Sequence, residues 1–113
     1  MRLGYLTSFS EKQLKTAREI GFPVLEVAAS SWQAALESGP KAIKQAAADA
    51  NTLLADNGIA ISALAFYGNY LVMEPTKARK QFAAVFQLAN ALDVSVIPTI
   101  CGSQPEKSVA ENI

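Results

Sequence analysis

The sequence has no histidine and a single cysteine among its 113 residues. One cysteine cannot form a disulfide within the chain, which excludes a disulfide-stapled scaffold. A cysteine nucleophile that relies on a histidine base is excluded as well, because no such base exists. We therefore expect Cys101 to be an inert thiol. Neither of the glycine-rich nucleotide-binding motifs occurs, so no nucleotide site is indicated.

The sequence also lacks an excess of charge and a long apolar run. Lys and Arg number 10, Asp and Glu number 10, and the net charge is therefore zero. A basic nucleic-acid module is excluded, since no surplus of cations exists to displace counterions from phosphates. No apolar run reaches about 18 residues, so no membrane span is predicted. The polar start is not a secretory signal, and we expect a cytoplasmic protein.

Half of the residues are hydrophobic, which favours a folded domain over a disordered chain. Two periodicities alternate along it. The predicted strands are Arg2–Thr7, Val24–Ala28, Ile59–Phe66 and Val94–Ile100. The predicted helices are Glu11–Ile20, Pro40–Asn57 and Pro75–Leu92. This order predicts an α/β fold with parallel strands joined by crossover helices.

Local signals mark where the helices begin and end. Ser10 followed by Gln13 is a capping box, and Gly21 suits the left-handed residue that ends a helix. Pro98 cannot donate to a strand ladder, so we place it near the end of the fourth strand. Pro105 then marks the expected start of a fourth helix. We expect residues 1–113 to form a single unit.

Three stretches together resemble the xylose isomerase-like TIM barrels, in the branch of sugar phosphate isomerases and epimerases. They are Gly21–Ala29, Leu54–Asn69 and Leu88–Gly102, the last ending in Pro-Thr-Ile-Cys-Gly. They resemble the second strand, the second helix with the third strand, and the third helix with the fourth strand of that family. A full (β/α)8 barrel has about 250 residues. The resemblance therefore implies a partial TIM barrel, namely an N-terminal half-barrel.

The resemblance implies a metal-dependent enzyme that isomerises or epimerises a sugar or sugar phosphate. In the family, Glu, Asp and His side chains on later strands hold a divalent metal such as Mn, Mg or Zn, and paired catalytic glutamates also lie on later strands. None of those positions occurs in this sequence. We therefore predict no catalytic residue, no metal ligand and no cofactor in these 113 residues, and no activity from the chain alone.

Substrate contacts in such a barrel come from the carboxyl ends of the strands. Five residues there are candidates for substrate binding: Glu26, Trp32, Phe66, Tyr67 and Asn69. Burying a carboxylate within an apolar strand costs free energy unless the carboxylate is paired or hydrogen-bonded. We therefore expect Glu26 to accept a hydrogen bond from a sugar hydroxyl. An aromatic ring suits a sugar face, and an asparagine amide both donates and accepts.

A structural role is the alternative for each candidate. Glu26 would then pair with Arg2 or with backbone N–H groups at the barrel end. Trp32 would plug the barrel mouth or pack under a helix. The residues after the third strand, Tyr67 to Asn69, would form a loop turn.

Two other functions remain open. A half-barrel exposes its first and fourth strands as edges, so two copies could form a homodimer through these open strand edges and close a barrel without chemistry. A small flavodoxin-like binding domain, with helices on both faces of four parallel strands, is the other alternative.

Overall fold

The computed structural model describes residues 1–100 and 102–112, and Cys101 lies outside them. The strands are β1 (Gly4–Thr7), β2 (Val24–Ala28) and β3 (Ala60–Ala65). The helices are α1 (Glu11–Ile20), α2 (Gln33–Ser38), α3 (Pro40–Asn57), α4 (Pro75–Ala91) and α5 (Val109–Asn112). The strands pair in the order β1-β2-β3, all parallel. The α/β class is confirmed, and none of the helices in the described ranges is both long and apolar enough to cross a membrane.

The helix boundaries follow from the capping residues that the sequence shows. The Ser10 hydroxyl accepts a hydrogen bond from the Gln13 backbone N–H at 3.2 Å and so satisfies one free donor of the first turn. Gly21 ends α1 with a φ of 97°, a left-handed conformation that side chains other than glycine rarely adopt. Pro40 and Pro75 begin α3 and α4, where the missing N–H costs nothing.

The predicted fourth strand, Val94–Ile100, is wrong in one respect: the segment lies beside β3 but forms no regular strand. The backbone N–H groups of Leu64 and Phe66 donate to the carbonyls of Val96 and Pro98 at 2.9 and 3.0 Å. In a parallel ladder, the return bond to the Leu64 carbonyl comes from the N–H of residue 98. Proline has no N–H, so the ladder is interrupted at that point.

Two helices differ from the sequence prediction. The connection after β2 is a 3-10 turn (Ala29–Trp32) followed by α2, where the sequence predicted a loop. The last helix begins at Val109 and not near Pro105. Its start is a capping box that the sequence analysis missed, since the Ser108 backbone N–H donates to the Glu111 carboxylate at 3.0 Å.

The helices pack against one face of the sheet. Leu25, Val27 and Leu64 point from the strands into a core shared with helical side chains, which include Leu14, Ala17, Ile43, Ala47, Ala50, Leu54, Val85 and Leu88. Each fully buried Leu or Val of this kind contributes about 1.5–3 kcal/mol. The opposite face carries Leu6, Glu26 and Ala63 in register. Leu6 is 52% exposed, so this second face is open beside β1.

Candidate functional site

The open face of the sheet carries a carboxylate–phenol pair formed between the middle of β2 and the segment that follows β3. Glu26 lies on β2, and Tyr67 follows β3 by two residues. The two strands are neighbours in the sheet, so their ends meet at one edge. The Tyr67 hydroxyl donates a hydrogen bond to Glu26 Oε1 at 2.9 Å. Two candidates that are 41 residues apart in sequence are thus brought together.

This hydrogen bond changes the acidity of the tyrosine. The Glu26 carboxylate stabilises the protonated hydroxyl and so raises the pKa of Tyr67 above its usual value of 10.0; desolvation and the negative charge of Glu26 act in the same direction. Tyr67 is 50% exposed, so its ring remains accessible. The pair therefore presents one phenol and one carboxyl group to the open face.

The pairing of Glu26 with Arg2, one structural alternative, is not what the structure shows. Lys15 and Glu19 form an ion pair on α1, whereas Arg2 and Glu26 form none with each other. Arg2 and Glu26 border the same recess of about 310 Å³, together with Ser62. Glu26 Oε1 accepts from Tyr67, and no described group donates to Oε2. That second oxygen is available to accept a hydroxyl hydrogen.

Phe66 joins an aromatic cluster beside α4. Its ring centroid lies 5.2 Å from that of Tyr70 and 5.0 Å from that of Phe82, distances typical of favourable aromatic pairs. The Tyr70 hydroxyl donates to the Phe66 carbonyl at 3.1 Å. Phe66 and Tyr67 also border a recess of about 290 Å³ at the strand ends, so Phe66 lies next to the Glu26–Tyr67 pair.

Trp32 is placed in the core. Its side chain is 9% exposed, and its ring centroid lies 4.8 Å from that of Phe9. The Ser31 hydroxyl accepts from the Phe9 backbone N–H at 2.8 Å and holds the loop after β1 against this turn. This arrangement corresponds to the packing role that the sequence left open for Trp32.

Asn69 ties two loops together at the carboxyl edge of the sheet. Its Nδ2 donates to the Ser103 carbonyl at 2.7 Å, and its Oδ1 accepts from the Ser103 N–H at 3.0 Å. Gln104 Nε2 also donates to the Leu71 carbonyl, at 3.3 Å. The amide of Asn69 thus acts as a clamp between the loop after β3 and the loop after residue 100.

Sequence reasoning did not name as candidates the other residues that border the recess beside Tyr67, among them Leu6, Ser30 and Gln33. Leu6 could have been predicted from the strand pattern, because alternate residues of a strand point to the same face and Leu6 lies in register with Glu26. Ser30 and Gln33 depend on the helical turn after β2, which has no side-chain cap to indicate it.

The described residues contain no group of three or more His, Cys, Asp or Glu side chains placed to hold a metal ion. Glu26 is therefore a single carboxylate and not part of a metal-ligand set in the described ranges. What this edge of the sheet does offer is hydrogen bonding: one carboxylate, one phenol and an apolar floor made by Leu6 and Ala65.

Comparisons with known proteins identify the fold. No family model matches the sequence, and no curated protein matches it. A solved structure does match, described as the probable 3-DHS dehydratase AsbF involved in petrobactin synthesis from Bacillus anthracis. The TM-score is 0.66 and the sequence identity is 19%. The match covers 98% of this chain and 43% of that one.

The chain thus spans less than half of the length of the enzyme that it matches. The order of parallel strands, the helices on one face and this likeness agree on the architecture. The fold is a partial (β/α)8 TIM barrel, as the sequence predicted.

Proposed function

We propose that this chain forms one wall of the substrate pocket in a (β/α)8 enzyme that isomerises or epimerises a sugar or sugar phosphate. The observation that carries the proposal is the 2.9 Å hydrogen bond between Tyr67 and Glu26 on the open face of the sheet. Tyr67 lies past the carboxyl end of β3, the region from which barrel enzymes take their substrate contacts, and its hydroxyl reaches back to Glu26 on β2. It supplies what a polyol needs, namely acceptors for hydroxyl hydrogens beside an aromatic ring.

In this proposal the pair binds and orients substrate without reacting with it. Glu26 Oε2 accepts from a substrate hydroxyl, and the Tyr67 oxygen accepts from a second one while it still donates its own hydrogen to Glu26 Oε1. Phe66 borders the same region and contributes to the wall. Trp32 and Asn69 support the wall from behind, through the core and through the loop clamp.

Catalytic groups and the divalent metal (Mn, Mg or Zn) are proposed to come from barrel strands that these 113 residues do not contain. A metal held there would supply polarisation of the substrate's carbonyl and hydroxyl oxygens. The 113-residue chain alone is expected to be inactive. Dehydration, the reaction named for the Bacillus anthracis enzyme, is a second candidate reaction for an enzyme with this wall.

A titration followed by nuclear magnetic resonance tests the binding role. D-fructose is added to the 113-residue chain, and we expect saturable shifts of the Glu26 and Tyr67 signals with weak affinity, because half of the pocket is present. Glu26→Gln and Tyr67→Phe should each weaken binding about twofold to tenfold, the effect of losing one ordinary hydrogen bond of about 0.5–1.5 kcal/mol.

Glu106→Gln is the matched control, because it removes an exposed carboxylate far along the chain from the pair. It should leave the affinity unchanged. Shifts of equal size and affinity in all three variants would contradict the proposal, as would sugar isomerisation by the 113-residue chain at rates above a metal-only blank.

Self-association is a second candidate role, and the exposed apolar side chains of the open face favour it. Leu6 and Val96 are each 52% exposed, on β1 and on the segment beside β3. A second copy placed edge to edge, related by a twofold axis, would cover both side chains.

Light scattering tests this role and should show a mass that rises above 12.0 kDa with concentration. Leu6→Lys should abolish the rise, and Ile20→Lys, on α1, should not; a constant mass of one chain would exclude this role.

A further inference from the structure

A cleft between α2 and α4 lies outside the Glu26–Tyr67 pair. Its volume is about 280 Å³, close to the lower end of the range of about 300–1,000 Å³ that small-molecule sites occupy. Leu36 from α2 and Ala84 and Val85 from α4 form its apolar floor, and Phe66 contributes an aromatic ring. Neither Glu26 nor Tyr67 borders it. The cleft is therefore a neighbouring site, which shares Gln33 and Phe66 with the recess beside Tyr67 but not the Glu26–Tyr67 pair.

The rim of this cleft is positively charged. Lys77 and Lys80 border it from α4, three residues apart and therefore on one side of the helix. Neither lysine ammonium forms an ion pair with a carboxylate in the described parts of the chain. Both lysines are exposed at the rim of the cleft.

The carboxylates close to the cleft are already engaged. Glu37 borders it from α2, and its Oε1 accepts from Gln33 Nε2 at 2.6 Å. Glu74 caps the start of α4, where its two oxygens accept from the backbone N–H groups of Thr76 and Lys77, each at 2.8 Å. The cleft thus has two cations and one carboxylate on its lining, a net charge of 2 − 1 = +1.

We infer that the cleft binds a small monocarboxylate with an apolar, ring-sized body. The carboxylate would lie between the Lys77 and Lys80 ammonium groups, which are compact point charges suited to it. The body would lie on Leu36, Ala84 and Val85 beside the Phe66 ring. Charge complementarity selects an anion, and the apolar floor selects against small hydrated ions such as acetate.

Benzoate is the probe that tests this inference, with acetate and benzyl alcohol as comparators. The isotope-labelled 113-residue chain is titrated with each, and the signals of Leu36, Ala84 and Val85 are followed. Benzoate should bind saturably. Acetate, which lacks the body, and benzyl alcohol, which lacks the charge, should each bind at least about tenfold more weakly.

Two double variants make the test specific. Lys77→Ala with Lys80→Ala should weaken benzoate about tenfold or more, while Lys41→Ala with Lys44→Ala should not change it, because that pair has the same spacing on α3 but lies outside the cleft. All four lysines are exposed, so both variants should keep the fold. Binding that is absent, unaffected by the Lys77/Lys80 pair, or equally reduced in both variants would overturn the inference.

Discussion

At the residue scale, the contact between Tyr67 and Glu26 has a measurable consequence for acidity. The hydrogen bond to a carboxylate favours the protonated phenol, so the folded-state pKa of Tyr67 lies above 10.0. A raised folded-state pKa means that the pair stabilises the fold below pH 10 or so, and that this contribution is lost as the pH rises through the folded-state value.

We predict that Glu26→Gln lowers the pKa of Tyr67 towards 10.0, because the negative charge and the strong acceptor are both removed. Carbon-13 spectra of the tyrosine ring carbon that bears the hydroxyl, recorded against pH, measure this directly. Tyr70 serves as the internal control, since burial is the main cause that raises its pKa. An unchanged Tyr67 titration in the variant would show that the contact does not form in solution.

Gly4 is a second single residue with a definite role, because β1 approaches β2 closely there. A Cβ atom at position 4 would overlap the Val24 carbonyl oxygen. We predict that Gly4→Ala destabilises the chain by about 1–3 kcal/mol, the usual cost of overpacking. Urea unfolding measures it, and Leu3→Ala, at an exposed neighbouring position, should change stability by less than about 0.5 kcal/mol. Equal stability of the two variants would mean that β1 can move away from β2.

At the element scale, Pro98 is the reason that the segment beside β3 forms no regular strand, because proline has no N–H to donate. Pro98→Ala supplies the missing N–H, and we predict that it donates to the Leu64 carbonyl and completes the ladder. Stability should change little, since a new hydrogen bond of about 0.5–1.5 kcal/mol opposes about 0.4–1 kcal/mol of added unfolded-chain entropy.

Hydrogen exchange is therefore the measurement for this variant. The new amide at position 98 should exchange more slowly than the neighbouring amide of Thr99, which faces the other side of the segment. Equally fast exchange at both positions would show that the proline is not what interrupts the ladder.

The elements that were predicted correctly are those with local signals. The ends of α1 follow from Ser10 and Gly21, and the starts of α3 and α4 follow from their prolines. Helix α2 could not be predicted in this way, because Trp32 precedes it without a capping hydrogen bond. Its short length also leaves little periodicity to recognise.

The candidate site was predictable in part. That Glu26 lies within β2 and that Tyr67 follows β3 could be read from the strand boundaries, which the sequence shows. Their direct contact depends on the neighbouring placement of β2 and β3 and on the turn after β3, which no local pattern encodes. Asn69 illustrates the same limit, because its partner Ser103 is 34 residues away.

At the scale of the whole molecule, the two faces of the sheet differ. Helices bury Val27 completely, whereas Leu6 on the other face is 52% exposed. This asymmetry is what distinguishes a partial barrel from a flavodoxin-like sheet, in which helices cover both faces. It is also what leaves the Glu26–Tyr67 pair open to a ligand.

Thiol labelling tests this asymmetry most directly. Leu6→Cys and Val27→Cys are each made in a Cys101→Ser background, and their labelling rates are compared with those of the urea-unfolded chains. At high dilution, where self-association is weakest, Leu6→Cys should react almost as fast as when unfolded, and Val27→Cys should be strongly protected. Strong protection at both positions at every dilution would contradict an open sheet face and with it the partial barrel.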